Sequence, residues 1–352
     1  MTKASKKNPL ENETYRRLII RLSSLGDVVL STAVLSINLN RKTTNDWVVA
    51  SEYGELIESH PNIRKVWKFK RKSGFLDWIK LCRELWLEEY DEVLDLHTNV
   101  RSKTARLLFK FWDLTGTRKR ARWIVASKER WKTFGAFTFK GIWPAIWKLK
   151  PCTQRFTLLA GGLGTEKPNL THLLSSPVSS VDSFFIPQKP YVCVMPSAAW
   201  PGKIWPATKY AQAINEIGIF PVILGSAKDQ VCDELVSQLS ETNALFLSGV
   251  GIWSLSQNAQ ILAHSVGYIG SDTGLFHLAE AMGIPAIVLF GPNLANTGFG
   301  PWRPQSRVVD TSLWCRPCGK DGRYCFRPKR RYLCLQKIQP SQVVDAFKSV
   351  HL

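Results

Sequence analysis

Ser271-Asp272-Thr273-Gly274, with His277 three residues further on, is the densest chemical group in the sequence. It ends a short apolar run and opens a helix predicted over Leu275–Met282, closed by Gly283 and followed by Pro285. On one reading Asp272 is simply the helix cap. On the other, Gly274 lets backbone approach a ligand and the helix amino end draws anions. A carboxylate, a hydroxyl, free N–H groups and an imidazole then converge on one spot, a combination suited to a nucleotide's ribose and phosphates. A second group is Pro196-Ser197-Ala198-Ala199-Trp200-Pro201-Gly202-Lys203-Ile204-Trp205-Pro206, between a predicted strand (Tyr191–Met195) and a helix starting near Pro206. Lys203 is either solvated surface or, held between Pro201-Gly202 and Trp205-Pro206, a cation that stabilises a departing phosphate in the place of a metal. The third group is Leu25-Gly26-Asp27, at the first strand-to-helix turn. Asp27 either complements the helix dipole or acts as a general base on an attacking hydroxyl.

Regular alternation positions these groups. The apolar run 18–22 leads through Ser23-Ser24-Leu25-Gly26-Asp27 into a helical pattern from Val28 to about Leu39. Strands are then predicted at 47–50, 66–69 and 92–96, with helices at 75–89 and 101–111. After a Ser/Pro-rich stretch between about 167 and 190, the alternation resumes. Strands are predicted at 191–195, 222–224, 244–247, 268–269 and 286–290, with helices at 207–217, 230–239, 254–264 and 275–282. Strands separated by helices imply parallel sheets, and ligands of doubly wound domains sit beyond the strands' carboxyl ends.

The 352 residues suffice for two such domains, and 45% apolar content supplies their cores. The first seventeen residues are polar and charged, unlike a secretory leader, and no window has the roughly 18 apolar residues of a spanning helix. The formal charge of +19 is local. Residues 101–150 hold 14 Lys/Arg against 2 Asp/Glu, and residues 301–352 hold 11 against 3, whereas residues 201–300 hold 3 against 7. Such basic surfaces attract anionic lipid, nucleic acid or phosphorylated substrates.

The ordered motifs resemble those of glycosyltransferase family 9, the ADP-heptose:lipopolysaccharide heptosyltransferases. They run from Arg21-Leu22-Ser23-Ser24-Leu25-Gly26-Asp27-Val28-Val29 through Tyr90-Asp91-Glu92-Val93-Leu94-Asp95-Leu96-His97 with Arg101-Ser102. The Lys203-Ile204-Trp205-Pro206 loop, Asp272-Thr273-Gly274-Leu275-Phe276-His277-Leu278-Ala279 and Phe290-Gly291-Pro292 complete the set. Two positions depart from the family pattern, Ala33 for a proline and Ser197 for a glycine. The stretch from Lys110 to Gly164 matches the family poorly.

The resemblance implies a GT-B α/β fold, two facing Rossmann-like doubly wound domains with an interdomain cleft. It implies an inverting, metal-independent transfer of heptose from ADP-heptose to a lipid A-core type acceptor. Asp27 is the implied catalytic base. Gly26, Ser197, Lys203, Asp272, Thr273, Gly274 and His277 are the implied donor-binding residues, and His97 and Arg101 the acceptor-binding ones. No cofactor is required beyond the nucleotide-sugar donor. The expected enzyme is a cytoplasmic monomer, peripheral on the inner face of the plasma membrane. Residues 101–150, with Trp112, Trp123, Trp131, Trp143 and Trp147, are expected to dock it on anionic lipid. A transferase with another nucleotide sugar, and a basic nucleic-acid-binding protein stacking bases on those aromatics, are the alternatives.

The expected division is a polar tail (1–17), an acceptor-side domain (18–180) with a basic insertion at about 110–164, a nucleotide-sugar domain (181–335) and a terminal helix (336–352) crossing back to the first domain. Cys315, Cys318, Cys325 and Cys334 either hold Zn²⁺ or pack without a metal, the second pair being too widely spaced for a tight ribbon.

Overall fold

Strands of two to eight residues, most of them separated by helices, assemble into two parallel sheets. The computed structural model describes residues 14–39, 41–116, 120–139, 149–175, 184–319, 321–327, 329 and 331–351. In chain order these form β1 (Tyr15–Ile20), α1 (Leu25–Ser31), β2 (Thr43–Ala50), β3 (Ile63–Phe69), α2 (Phe75–Leu87), β4 (Glu92–Asp95), α3 (Val100–Thr115), β5 (Arg122–Val125), α4 (Arg130–Thr138) and α5 (Cys152–Leu159). There follow β6 (Tyr191–Met195), α6 (Ala207–Ile217), β7 (Phe220–Ile223), α7 (Gln230–Glu241), β8 (Leu247–Ser248), α8 (Leu255–Ala263), β9 (Gly267–Ser271), α9 (Gly274–Ala281), β10 (Ala286–Leu289), β11 (Arg307–Val309), α10 (Leu333–Gln336) and α11 (Pro340–His351).

The first sheet has the order β3-β2-β1-β4-β5. Its central strand β1 is flanked by parallel partners on both sides, so Leu18, Ile19 and Ile20 are almost wholly buried and the strand reads as a continuous apolar run. Trp78, Cys82 and Leu85 of α2 and Ala105 and Phe109 of α3 cover one of its faces. Buried Arg17 is matched by Glu92 at 2.7 Å across the β1–β4 pair.

The second sheet has the order β11-β10-β9-β6-β7-β8. Val192 and Val194 of β6, Ile269 of β9 and Ile287 and Leu289 of β10 face a core shared with Trp205, Tyr210 and Ile214. In each sheet the order reverses beside the first strand, between β1 and β4 and between β6 and β9. Ligands are taken at such switch points.

The described chain groups into two units that differ from the single boundary expected near residue 180. One draws on Met1–Ser23, Ala33–Lys128 and Thr153–Glu166, the other on Ser24–Thr32, Glu129–Cys152 and Lys167–Leu352. The α1 turn, although it follows β1 in sequence, belongs with the second unit and packs on α9. The terminal helix α11 is also part of the second unit. Val343, Val344 and Phe347 fill that unit's core against α6 and β11.

Two local expectations are corrected. The helix expected from Val28 to about Leu39 stops at Ser31 and gives way to a 3₁₀ turn over Thr32–Ser36. There the Ser31 and Thr32 hydroxyls donate back to the carbonyls of Asp27 and Val29, each at 2.7 Å, competing with regular α-helix geometry. The cap of α9 is Thr273, so Asp272 lies one residue outside the helix with its carboxylate engaged elsewhere. Among the described residues no helix is long and apolar enough to cross a membrane.

Candidate active site

Parallel pairing of β6 with β9, with Met195 opposite Gly270, puts the loops that leave these strands side by side. One carries Ser197 and Lys203, the other Asp272, Thr273 and Gly274. The Lys203 ammonium donates to Asp272 Oδ2 at 2.6 Å and to the Asp272 carbonyl at 3.2 Å. Both side chains are mostly buried, at 17% and 9% exposure. In that setting the pair is a directed cation fixed at the mouth of α9 rather than a surface ion pair.

The α1 turn closes the other side. A Cβ placed on Gly274 would lie 2.6 Å from Leu25 Cγ and 2.8 Å from the Gly26 nitrogen, and one on Gly26 would lie 2.9 Å from His277 Cδ2. The two turns therefore meet backbone to backbone, which requires glycine on each side. The amino ends of α1 and α9 thus come together with Asp27 and His277 between them. Asp27 Oδ2 accepts from the Ser24 amide at 3.2 Å and from its hydroxyl at 2.9 Å, which orients the carboxylate at the head of α1.

His277 is 3% exposed and its Nδ1 has no hydrogen-bond partner among the described residues. Burial pushes its pKa down to about 3; the charge of Asp27 works against that and the charge of Lys203 with it. The ring is neutral at neutral pH. The same elements position hydroxyls nearby: Thr273 Oγ1 lies 3.4 Å from Tyr268 OH, and Ser271 Oγ 3.4 Å from Tyr210 OH.

Of the donor-side residues expected from sequence, Gly26, Lys203, Asp272, Thr273, Gly274 and His277 come together with Asp27. Ser197 is turned to a residue that sequence reasoning missed. Its hydroxyl donates to Asp229 Oδ2 at 2.6 Å, and the same oxygen accepts from the Ser226 amide at 2.8 Å. Asp229 caps α7 just past the carboxyl end of β7. The signal was available in Gly225-Ser226-Ala227-Lys228-Asp229, an acidic residue in a strand-to-helix turn, but resembled an ordinary cap. Glu280, on α9 beyond His277, was also missed. It is fully buried and accepts from the Trp302 and Arg303 amides and the Ser306 hydroxyl, pinning the loop that precedes β11. Burial pushes its carboxyl up to about 7 against the pull of those donors.

His97 and Arg101 lie in the first unit, past the carboxyl end of β4. The amides of His97 and Thr98 donate to Asp95 Oδ1 at 3.0 and 2.8 Å, shaping the turn into α3. The Arg101 guanidinium lies 5.0 Å from the Phe69 ring centroid and donates to the Arg71 carbonyl at 3.3 Å.

Cys315, Cys318, Cys325 and Cys334 surround one cavity of about 10 Å³. Among the described residues no group of three or more His, Cys, Asp or Glu is arranged to hold a metal. Arg327 Nε and the Tyr332 amide donate to the sulfurs of Cys315 and Cys325, each at 3.4 Å.

Two parallel doubly wound sheets, one with Lys203 and the amino end of α9 at its switch point, are what the GT-B fold is built from. The chain belongs to glycosyltransferase family 9 (heptosyltransferase), whose model matches residues 78–325. It is similar to lipopolysaccharide heptosyltransferase 1 of Pseudomonas aeruginosa, at 26% identity over 96% of this chain and 98% of that one. Its fold is similar to that of a family 9 glycosyl transferase from Veillonella parvula (TM-score 0.71, 17% identity, 97% of this chain and 98% of that one). It is also similar to that of ADP-heptose LPS heptosyltransferase II from E. coli (TM-score 0.69, 19% identity, 95% and 98%).

Proposed function

We propose that this enzyme transfers heptose from ADP-heptose to a lipid A-core type acceptor, with inversion at the anomeric carbon and without a divalent metal. The observation that carries this reading is Lys203 held 2.6 Å from Asp272 at the amino end of α9, next to the Asp27 turn. Asp27 takes the proton from the acceptor hydroxyl, whose oxygen attacks the anomeric carbon opposite the diphosphate. The bond from that carbon to the phosphate oxygen breaks, and Lys203 with the α9 amide groups stabilises the departing negative charge. One base and one stabilised leaving group suffice for inversion, with no covalent intermediate. Neutral His277 and the Thr273 hydroxyl line the donor side, and His97 and Arg101 are assigned to the acceptor. The division into an acceptor-side first domain and a donor-binding second domain belongs to this proposal.

The same reading places the enzyme as a monomer at the cytoplasmic face of the inner membrane. Support comes from α3, where Leu107, Phe111 and Leu114 are exposed beside Lys103, Arg106 and Lys110, and from α4, where Trp131 is 84% exposed. An apolar stripe edged by cations suits an anionic lipid surface. Trp143 and Trp147 lie outside the described residues.

Mass spectrometry of nucleotide sugars retained by the purified protein, followed by transfer assays with the retained sugar, tests the donor. Retention and transfer of ADP-heptose are expected; retention of a uridine sugar with no turnover of ADP-heptose would overturn the assignment.

A further inference from the structure

The segment between β11 and α10 is absorbed neither by the proposed chemistry nor by the basic stretch at 101–150. Between Trp314 and Arg331 it holds seven Lys/Arg against one acidic residue, Asp321. It also carries three large aromatics in the open, Trp314 (77% exposed), Tyr324 (82%) and Phe326 (59%). Trp314 and Phe326 have ring centroids 6.2 Å apart, and the Arg327 guanidinium lies 5.4 Å from the Trp314 ring. Arg323, Lys329 and Arg331 are exposed.

The patch sits on a fixed platform. Buried Arg316 donates through Nη2 to the carbonyls of Phe290 and Asn293 at 3.1 and 2.9 Å, and through Nε to the Gly291 carbonyl. The Cys318 amide donates to the Pro292 carbonyl, and the Gly202 amide to the Gly322 carbonyl, both at 3.0 Å. A Cβ on Gly202 would stand 2.4 Å from that Gly322 oxygen, so the segment lies directly on the Lys203 loop. Beside it the Arg323 guanidinium stacks 3.9 Å from the Trp200 ring.

Three large aromatics left mostly exposed to water among cations form an apolar surface that the core does not cover. At an anionic bilayer surface the same residues are satisfied, rings at the level of the headgroups and cations against the phosphates. We propose that Trp314, Tyr324 and Phe326, with Arg323, Lys329 and Arg331, form a lipid-docking surface on the second unit that seats the Lys203 loop beside an anionic membrane. The surface extends the membrane reading given above, yet it is independent of residues 101–150 and of the donor chemistry.

The test is co-sedimentation of the full chain with phosphatidylglycerol or phosphatidylcholine vesicles. The triple variant Trp314→Ser, Tyr324→Ser, Phe326→Ser should partition about tenfold less onto phosphatidylglycerol at 0.5 M salt, where screening leaves chiefly the aromatic contribution. The variant Arg323→Gln, Lys329→Gln, Arg331→Gln should lose a similar factor at low salt only. Both should transfer sugar to a delipidated, soluble acceptor at the unmodified rate, which separates failure of docking from failure of the proposed chemistry. In the unmodified protein, hydrogen exchange over residues 312–327 should slow on adding phosphatidylglycerol vesicles. Unchanged partitioning of both variants, or no slowing of exchange, overturns the proposal. So does retained vesicle binding with lost affinity for the soluble acceptor, which makes the patch a saccharide surface instead.

Discussion

Lys203 Nζ lies 2.6 Å from Asp272 Oδ2 across the β6–β9 switch point, and it donates to the Asp272 carbonyl as well. The Asp272 carboxylate, one residue before the Thr273 cap of α9, instead holds the cation that the proposed mechanism sets against the leaving diphosphate. Replacing Lys203 by Met should lower kcat on the order of 100- to 1,000-fold, the usual effect of removing one preorganised charge from a transition state. Steady-state kinetics on a folded Lys203→Met protein check this; a near-normal kcat removes Lys203 from the chemistry.

Asp27→Asn should abolish transfer while donor affinity stays within about threefold, because a base acts on the acceptor hydroxyl only as the transition state forms. The Asn side chain can keep an acceptor oxygen toward Ser24, so the α1 turn should survive. Equilibrium binding of ADP-heptose beside single-turnover kinetics separates the two effects.

Transfer should continue in excess chelator. Lys203 and the α9 amino end provide positive potential at the site, and the Asp272 carboxylate is committed to Lys203. Loss of turnover in EDTA with recovery on adding Mg²⁺ or Mn²⁺ would contradict the electrostatic assignment.

Two buried groups should oppose each other in the pH dependence of stability. His277, ordinarily near 6.5, is held at about 3, so the unfolded chain binds its proton first and stability is lost as pH falls from about 6.5 toward 3. For His277 that loss is on the order of 2 kcal/mol at pH 5. Glu280, ordinarily near 4.5, is held at about 7, so the folded state keeps its proton longer and stability is lost as pH rises from about 4.5 to 7. Denaturant unfolding of His277→Gln and Glu280→Gln across pH 4 to 8 checks both signs. Each variant should lack one limb of the profile.

On α3, Leu107→Ser with Phe111→Ser should weaken binding to anionic vesicles several-fold at high salt, without altering turnover of a soluble acceptor. Both side chains point to solvent, so thermal stability should change little. Equal binding of this variant and the unmodified protein would exclude the α3 face from the membrane contact.

Much of the architecture was legible because parallel sheets impose a strong pattern. A strand flanked on both sides, such as β1 or β6, must be apolar on both faces, and the helices between strands must carry a stripe. The helix 207–217 was read to the residue, whereas the helix after β1 was read too long because Ser31 and Thr32 turn their hydroxyls onto the backbone. The motif turns were also visible, since glycine, acid and helix end lie within a few residues of one another.

The sequence by itself determined the two parallel α/β patterns, the turns that carry Asp27, Lys203 and Asp272, and the placement of positive charge along the chain. Only the tertiary structure decided which of these groups meet. Lys203 and Asp272 are 69 residues apart and are brought together by strand register, while the α1 turn joins the second unit through glycines that let two backbones touch. It also decided that Ser197 answers to Asp229, that α11 stays in the second core, and that Trp314, Tyr324 and Phe326 face water. Local pattern records which face of each element is apolar, but the partner across that face is set by packing over long sequence separations, which no spacing along the chain encodes.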